Sequence, residues 1–407
     1  MENWKRNIIL FLSSQTISLF GSSLVQYAIM WYITLTTESG LMMTLYIVCG
    51  FIPTFLLSPV AGVWADRYNR KKLIIMADGM IALATFILAI VFLLGYKEIW
   101  LLFVMAAIRA VGAGIQSPAV GAILPQIVPA DKLTQVNGIN GTLQAVMMFV
   151  APMASAALLT MATLEAIFFI DVITAALAIL TLLLFFNIPV HVKAAAEQTT
   201  SYLADFKQGL AYIGQHPYLK SFFLFFAVFF VLMAPASFLT PLQVTRTFGD
   251  DVWRLTAIEI AFSIGMMAGG AIIASWGGFR NKVHTMAFAS LIMAVCTFSL
   301  GIAPFFWLYL AFMGVFGIAV PLFNTPTTVM IQERVDESYL GRIFGIFSMI
   351  STSMMPIGML IFGPIADVIA IEWLLIGTGL LMVVMSLLLS RNKQLLEMGK
   401  PLQSTSI

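Results

Sequence analysis

Polar chemistry is scarce in this chain of 407 residues: charged side chains make up 10%, and there are only three histidines and two cysteines. Cys49 and Cys296 both fall inside apolar runs, which excludes a disulfide framework and a cysteine-based metal site. His191, His216 and His284 lie near polar loops with no HExxH, GxSxG or cysteine cluster, so no metal is expected and catalysis is a poor fit. A GxxxxGKS or GxxxxGKT phosphate loop to power a pump is also missing, and no cofactor is expected. The net charge is +2 and the basic residues are scattered, leaving no stripe for nucleic acid. MENWKR leads straight into a long apolar run, without the short core and small-residue cleavage site of a secretory leader.

What the chain has instead is apolar length. Hydrophobic residues make up 60% and the mean hydropathy is +0.98, far outside the range of a water-soluble globule. Runs near 8–33, 41–63, 73–95, 98–119, 135–162, 163–188, 219–245, 253–275, 284–302, 304–330, 342–367 and 370–390 each approach the ~20 residues that cross a hydrocarbon core. Their apolarity is continuous, not alternating, which excludes a β-barrel. The expected class is an all-α membrane protein with twelve transmembrane helices. One long polar interruption, 189–218, divides them six and six, so the expected domains are a bundle over 1–188, a linker over 189–218, a bundle over 219–391 and a tail over 392–407. Within the linker Leu203, Phe206, Leu210 and Ile213 recur at helical spacing, which predicts a short amphipathic helix lying on the membrane surface.

An even number of spans puts both termini on one side. Of the 21 Lys and Arg residues, Lys97, Arg246 and Arg254 fall on the opposite side, Arg109 falls inside a span, and the other seventeen share the side of the termini. That side is cytoplasmic by the excess of positive charge. The two halves also repeat: VPADKLTQVNG from Val128 aligns with VDESYLGRIFG from Val335, setting Leu133 over Leu340 and Gly138 over Gly345. Pro118 and Pro326 precede these segments, and Pro152 and Pro356 follow them. Two pseudo-symmetric six-helix bundles fit a carrier whose binding site lies between repeats.

The loop GVWADRYNRKKL, Gly62 to Leu73, carries a resemblance. It is similar to the loop signature between the second and third helices of the major facilitator superfamily, with Gly62, Asp66, Arg67, Arg70 and Lys71 on matching positions. Asn69 stands where that family usually has Gly, and the corresponding loop of the second half, GGAIIASWGGFRNK, lacks the acid. The resemblance implies the major facilitator fold, alternating access by rocking of the two halves, and a latch in which Asp66 meets the start of the eleventh helix at Arg342. Read from the residues alone, these charges could simply set topology.

Arg109, in VMAAIRAVGAG, sits mid-span at an insertion cost of roughly 3 kcal/mol and should face the interior with a partner. The family resemblance implies a part in proton coupling for an Arg in the fourth helix. Asp171 in AIFFIDVITA and Glu259 in LTAIEIAFSIGMMAGG are the candidate proton carriers, because burial favours a neutral carboxyl that can take up and release a proton; an interfacial carboxylate is the alternative for both. Asp78 is expected to support the charged loop, while Asp367 and Glu372 are expected near the outer surface. FVAPMASAALL resembles a degraded Gly-Pro signature of the antiporter branch, keeping Pro152.

Polar and aromatic residues on the first helix of each half are the material for a substrate cavity: Gln15, Gln26, Tyr27, Trp31 and Tyr32, then Phe230 and Met233. The segments ADRYNRKK, AIFFIDVITA, EIAFSIGMMAGG and SYLGR together resemble the macrolide-efflux group of bacterial drug:proton antiporters. The resemblance implies a multi-pass carrier in the bacterial cytoplasmic membrane, driven by the proton gradient, exporting a small hydrophobic or amphiphilic substrate. Related exporters carry siderophores or lipids, so a native metabolite or lipid is the alternative cargo, and an integral-membrane enzyme is a distant third. Nothing in the residues bears on cooperation with an ATP-dependent exporter.

Overall fold

The computed structural model describes residues 4–129, 132–185, 202–336 and 339–401; within these, the side chains at 58, 59, 62, 63, 66, 67, 134 and 202–205 lie outside the description. The regular elements are helical, and there is no strand among the described residues. Hydrocarbon offers no partner to backbone N–H and C=O groups, so each apolar run satisfies its own by coiling. The order is α1 (Trp4–Thr37), α2 (Gly40–Arg67), α3 (Arg70–Leu93), α4 (Ile99–Ile127), α5 (Leu133–Met161), α6 (Leu164–Phe185), α7 (Tyr202–Gln215), α8 (Pro217–Ala234), α9 (Thr240–Phe248), α10 (Val252–Trp276), α11 (Lys282–Leu300), α12 (Phe306–Arg334), α13 (Leu340–Ile365), α14 (Ile371–Arg391) and α15 (Lys393–Met398). A five-residue π-turn, Pro235–Leu239, joins α8 to α9 into one span, and twelve spans are long and apolar enough to cross a membrane.

Several helices outrun the apolar stretches that predict them. The expected 98–119 becomes Ile99–Ile127 and the expected 304–330 becomes Phe306–Arg334, because polar residues such as Gln126, Gln332 and Glu333 continue the helix past the apolar run. The repeat landmarks recur in corresponding elements. Pro118 and Pro326 lie inside α4 and α12, Pro152 and Pro356 inside α5 and α13, and Val128 and Val335 end α4 and α12 in extended conformation.

The chain forms two compact units, residues 1–37 with 45–198 and residues 38–44 with 199–407. In the first, α1 packs against α4, α5 and α6, and α3 packs against α4 and α6. Small residues let α5 approach α1: Ala151 and Ser155 are fully buried, and Ser155 Oγ donates to the Leu24 carbonyl at 3.1 Å. Phe11, Ile74, Ala77, Ile115, Ala119 and Ile123 belong to one buried apolar cluster at the end of this unit where α3 begins.

In the second unit α10 pairs with α12, and α11 with α12 and α14. The α10–α12 contact is a glycine seam. A Cβ on Gly265 would stand 2.1 Å from the Gly314 carbonyl oxygen, one on Gly269 2.2 Å from that of Ile318, and one on Gly317 2.3 Å from that of Phe262, so only glycine permits this approach. Phe226 and Phe229 of α8 pack on Phe323 of α12 with ring centroids 5.1 and 5.0 Å apart. Gln243 is buried and satisfied, donating to the Leu300 carbonyl at 2.9 Å and accepting from the Tyr309 hydroxyl at 2.9 Å.

The linker helix α7 forms, but its apolar stripe is not simply laid on a membrane surface. It packs on α13: Tyr212 and Ile213 are buried, Tyr212 stacks on Tyr339 at 4.4 Å, and its hydroxyl donates to Asp336 at 3.1 Å. Leu210 remains exposed, whereas the side chain of Leu203 lies outside the description.

Candidate functional site

Two neighbouring helices carry polar side chains seven residues apart, an interval that returns to nearly the same face two turns on, about 10.5 Å along the axis. On α3 the pair is Asp78 and Thr85; on α4 it is Arg109 and Gln116. Because α3 and α4 pack together, the pairs meet as two tiers, and α1 supplies Gln15, Ser18 and Ser22 at spacings of three and four along one stripe.

The first tier is an ion pair. Arg109 Nη1 donates to Asp171 Oδ2 at 2.5 Å and to Thr85 Oγ1 at 3.1 Å, and Nη2 donates to the Ser22 carbonyl at 2.9 Å. The side chains are 13% and 1% exposed, so Asp171 is interior and not an interfacial carboxylate. Gly21 makes room for it: a Cβ there would stand 3.0 Å from Asp171 Oδ1 and 2.0 Å from Thr174 Oγ1. Pairing offsets the roughly 3 kcal/mol that a lone mid-span charge costs.

Among the described residues, no cation bonds to the second tier. Asp78 Oδ1 accepts from Ser18 Oγ at 3.0 Å and from Gln116 Nε2 at 2.8 Å, while Gln116 Nε2 also lies 3.4 Å from Gln15 Oε1. Asp78 is 2% exposed, and its Oδ2, like Gln15 Nε2, is buried with no partner among the described residues. The expectation that Asp78 supports the charged loop is corrected: α3 starts at Arg70, which carries Asp78 two turns inside the unit. The seven-residue interval shared by Asp78–Thr85 and Arg109–Gln116 was the available signal for Thr85, Gln116 and Asp78.

The loop residues are placed as follows. Arg70 Nε donates to the Ala65 carbonyl at 2.9 Å and its Nη1 to the Ala122 carbonyl at 2.7 Å, tying the α2–α3 turn to the end of α4. Lys71 Nζ lies 3.5 Å from the Leu183 carbonyl. The backbones of Gly62, Asp66 and Arg67 belong to α2, and their side chains lie outside the description. Asn69 accounts for the departure at that position: its φ of −66° needs no glycine, and its side chain caps α3 by accepting from Lys72 N. Asn281 caps α11 in the same way. Arg342 is the third residue of α13, with its guanidinium 5.3 Å from the Tyr339 ring centre.

Glu259 lies two turns into α10, half-buried, with no hydrogen-bond or ion-pair partner among the described residues. Of the expected cavity residues, Trp31, Phe230 and Met233 are buried in helix packing, Gln26 is exposed, and Tyr27 and Tyr32 are intermediate, with Tyr27 5.6 Å from Trp31. Pro152 is buried in α5. A cavity of about 420 Å³ in the second unit is lined by Tyr218, Glu333, Arg334, Gln394, Glu397 and Met398, none of them expected from sequence.

A further polar node holds the α1–α2 turn. Asp367 Oδ1 accepts from Gly40 N at 2.7 Å and Oδ2 from Leu41 N at 2.9 Å and Ser39 Oγ at 2.8 Å. Arg246 joins it at 3.1 Å and also donates to the carbonyls of Glu38 and Ala366. Residues 38–44 accordingly group with the second unit. Burial of Asp367 favours its neutral form, but the Leu41 and Gly40 amides, the Ser39 hydroxyl and Arg246 together hold its carboxyl below the usual range. In the α3–α4 turn, Lys97 reaches Glu165 at 2.5 Å, and that bond holds its ammonium above the usual range.

Comparison with known proteins agrees with this architecture. Macrolide efflux protein A of Streptococcus pyogenes is 28% identical over 386 residues, covering 94% of this chain and 95% of its own. The Staphyloferrin A transporter of Staphylococcus aureus is 22% identical over 375 residues, covering 89% and 90%. A crystal structure of a POT family transporter in complex with 5-aminolevulinic acid superposes with a TM-score of 0.74 at 12% identity, covering 95% of each chain, and so shares the fold. The family profile of the Major Facilitator Superfamily matches residues 8–359, from the first span through most of the eleventh, and the chain belongs to that superfamily.

Proposed function

We propose that this transporter is a proton-driven exporter of bulky hydrophobic or amphiphilic drugs, with macrolides the first cargo to test. The observation that carries the reading is the Arg109–Asp171 pair, a charge pair in the interior of apolar spans whose guanidinium is also held by Thr85 and the Ser22 carbonyl. Enclosed charges among membrane helices mark ion and proton pathways. The name of the Streptococcus pyogenes relative supports macrolides as the first cargo to test. Arg109 and Asp171 form the charged pivot of coupling, and Glu259, unpartnered among the described residues, is a second carboxyl open to a proton. The excess of Lys and Arg on the side of the termini supports a cytoplasmic position for both, and the bacterial relatives support the bacterial cytoplasmic membrane as the carrier's location. Transport proceeds by rocker-switch alternating access, with Asp66 and Arg342 as the latch.

The test is expression in an efflux-deficient bacterium, with cellular accumulation of erythromycin and several chemically unrelated compounds followed with and without a protonophore. Lower accumulation that the protonophore abolishes supports the reading. Unchanged accumulation of every compound overturns it. The second reading, export of a siderophore, is favoured by the name of the Staphylococcus aureus relative, and loss of siderophore secretion on deletion would distinguish it.

A further inference from the structure

We propose that Asp78, and not Asp171, is the carboxyl of the first unit that binds and releases the exchanged proton, with Gln15, Gln116 and Ser18 forming its entry. The inference rests on the proton-coupled reading above and assigns the atom.

The two tiers of the ladder differ in what faces each carboxylate. Both carboxyls keep one oxygen buried without a partner among the described residues, Asp78 Oδ2 and Asp171 Oδ1, but Asp171 has a guanidinium nitrogen 2.5 Å from its other oxygen, Oδ2. Protonating a carboxylate so paired would forfeit a charge-assisted bond and strand a cation in the unit's interior. Asp78 has only neutral donors, Ser18 Oγ and Gln116 Nε2, and both fall on one oxygen. Its Oδ2 is buried without a donor, which for an ionised carboxylate leaves negative charge unsolvated. Oδ2 is therefore the atom that gains from an O–H bond. The proton comes from the aqueous phase, forms that bond, and leaves when it breaks; no other bond changes.

The surroundings fit such a group. Ala77 beside Asp78 in sequence and Ile115 beside Gln116 belong to the apolar cluster with Phe11 and Ile74, so little else solvates the carboxyl. The charged groups of the helices packed around it are Arg109 of α4 and Asp171 of α6, both in the other tier, and Glu165 in the first turn of α6, which is paired with Lys97; those of α1, Lys5 and Arg6, are more than two turns from Ser18, and Arg70, Lys71 and Lys72 of α3 itself lie about two turns away at the start of the helix. Gln15 and Gln116 are each half-buried, so Asp78 is one side chain removed from accessible polar groups, and the unpartnered Gln15 Nε2 is a ready contact for a passing water. The stripe through Ser18 and Ser22 joins the tiers, so the charge on Asp78 is felt at the Arg109–Asp171 pair.

The test uses the purified full chain in lipid vesicles and reads protonated carboxyl directly, by infrared difference spectra between acid and alkaline pH. Wild type is expected to show a buried C=O band that titrates, D78N to lose it, and D171N to keep it. A titrating band that survives in D78N, or that vanishes in D171N, overturns the assignment. Should D78N fail to fold, Ser18→Ala and Gln116→Leu each remove one donor to the ionised form; both should raise the band's frequency and move its midpoint to higher pH, and an unmoved band overturns the proposal. The same vesicles, loaded with erythromycin under an imposed pH gradient, keep the two readings apart. If wild type moves no erythromycin in response to the gradient, the export reading fails while the band still judges Asp78. If it does, D78N should lose gradient-driven accumulation yet retain downhill equilibration, and retained gradient-driven accumulation counts against Asp78.

Discussion

Arg109 Nη1 and Asp171 Oδ2 lie 2.5 Å apart in the interior of the first unit, joining the fourth span to the sixth, with both side chains shielded from solvent. Neither partner can be lost alone without stranding the other. Removing one member of a buried pair costs about 3–5 kcal/mol, whereas replacing both by apolar residues of similar size is close to neutral. Asp171→Asn and Arg109→Met should each lower the melting temperature of the detergent-solubilised protein, and the double variant R109M/D171L should recover most of the loss. Additive losses in the double variant would show that the two side chains are not coupled.

Glu259 should behave differently. It is half-buried and has no described partner, so Glu259→Gln removes a charge without breaking a bond. Folding and membrane yield should stay within about 0.5 kcal/mol of wild type, as for substitutions outside packed networks. Proton-dependent drug efflux from cells should fall several-fold. Efflux at the wild-type rate with wild-type protein levels would remove Glu259 from coupling.

The clasp at Asp367 is acid-sensitive in a defined direction. Its folded carboxyl titrates below the ordinary value of 3.8, so the stabilisation is complete above that value and drains away as pH falls through the lower, folded one. Asp367→Asn should therefore speed amide hydrogen exchange at Gly40 and Leu41 at neutral pH, and wild type should approach the variant only in strong acid. Equal exchange in the two proteins at neutral pH would show that the carboxylate does not hold this turn.

Asn69 offers a cap test in the signature loop. With φ at −66° the position makes no use of glycine's freedom, so restoring the family's usual residue brings no conformational gain. Asn69→Ala should cost about 1 kcal/mol and Asn69→Gly only a few tenths. Thermal unfolding of both variants would check the order; a glycine variant more stable than wild type would contradict the cap.

The twelve spans were legible because length and unbroken apolarity report directly on hydrocarbon thickness, and the central polar stretch reports on the division. Arg109 and Asp171 were legible because a charge inside an apolar run is conspicuous. Asp78 is less legible: it lies only five residues into the apolar run that begins at 73, just beyond the basic stretch 70–72, and the sequence does not show that the helix already begins at Arg70 and carries it two turns inside. Trp31, Phe230 and Met233 pose a different difficulty. Residue type suggests them for a cavity and the structure buries them in helix packing, and a helix that is apolar on every side does not encode which side meets another helix. The docking of α7 on α13 was illegible for a related reason: an amphipathic stripe announces that it needs a cover and not whether lipid or protein provides it.

The glycine seam between α10 and α12 has a mechanical corollary. Carbonyl oxygens of one helix occupy the hollows where Cβ atoms of the other would stand, at Gly265, Gly269 and Gly317. Each oxygen acts as a tooth in a notch, and either sliding along the axis or rolling about it would drive teeth into backbone. The pair is thereby geared together, free to tilt as one plate but not to shear, and whatever movement the second unit makes must be accommodated at joints other than this one.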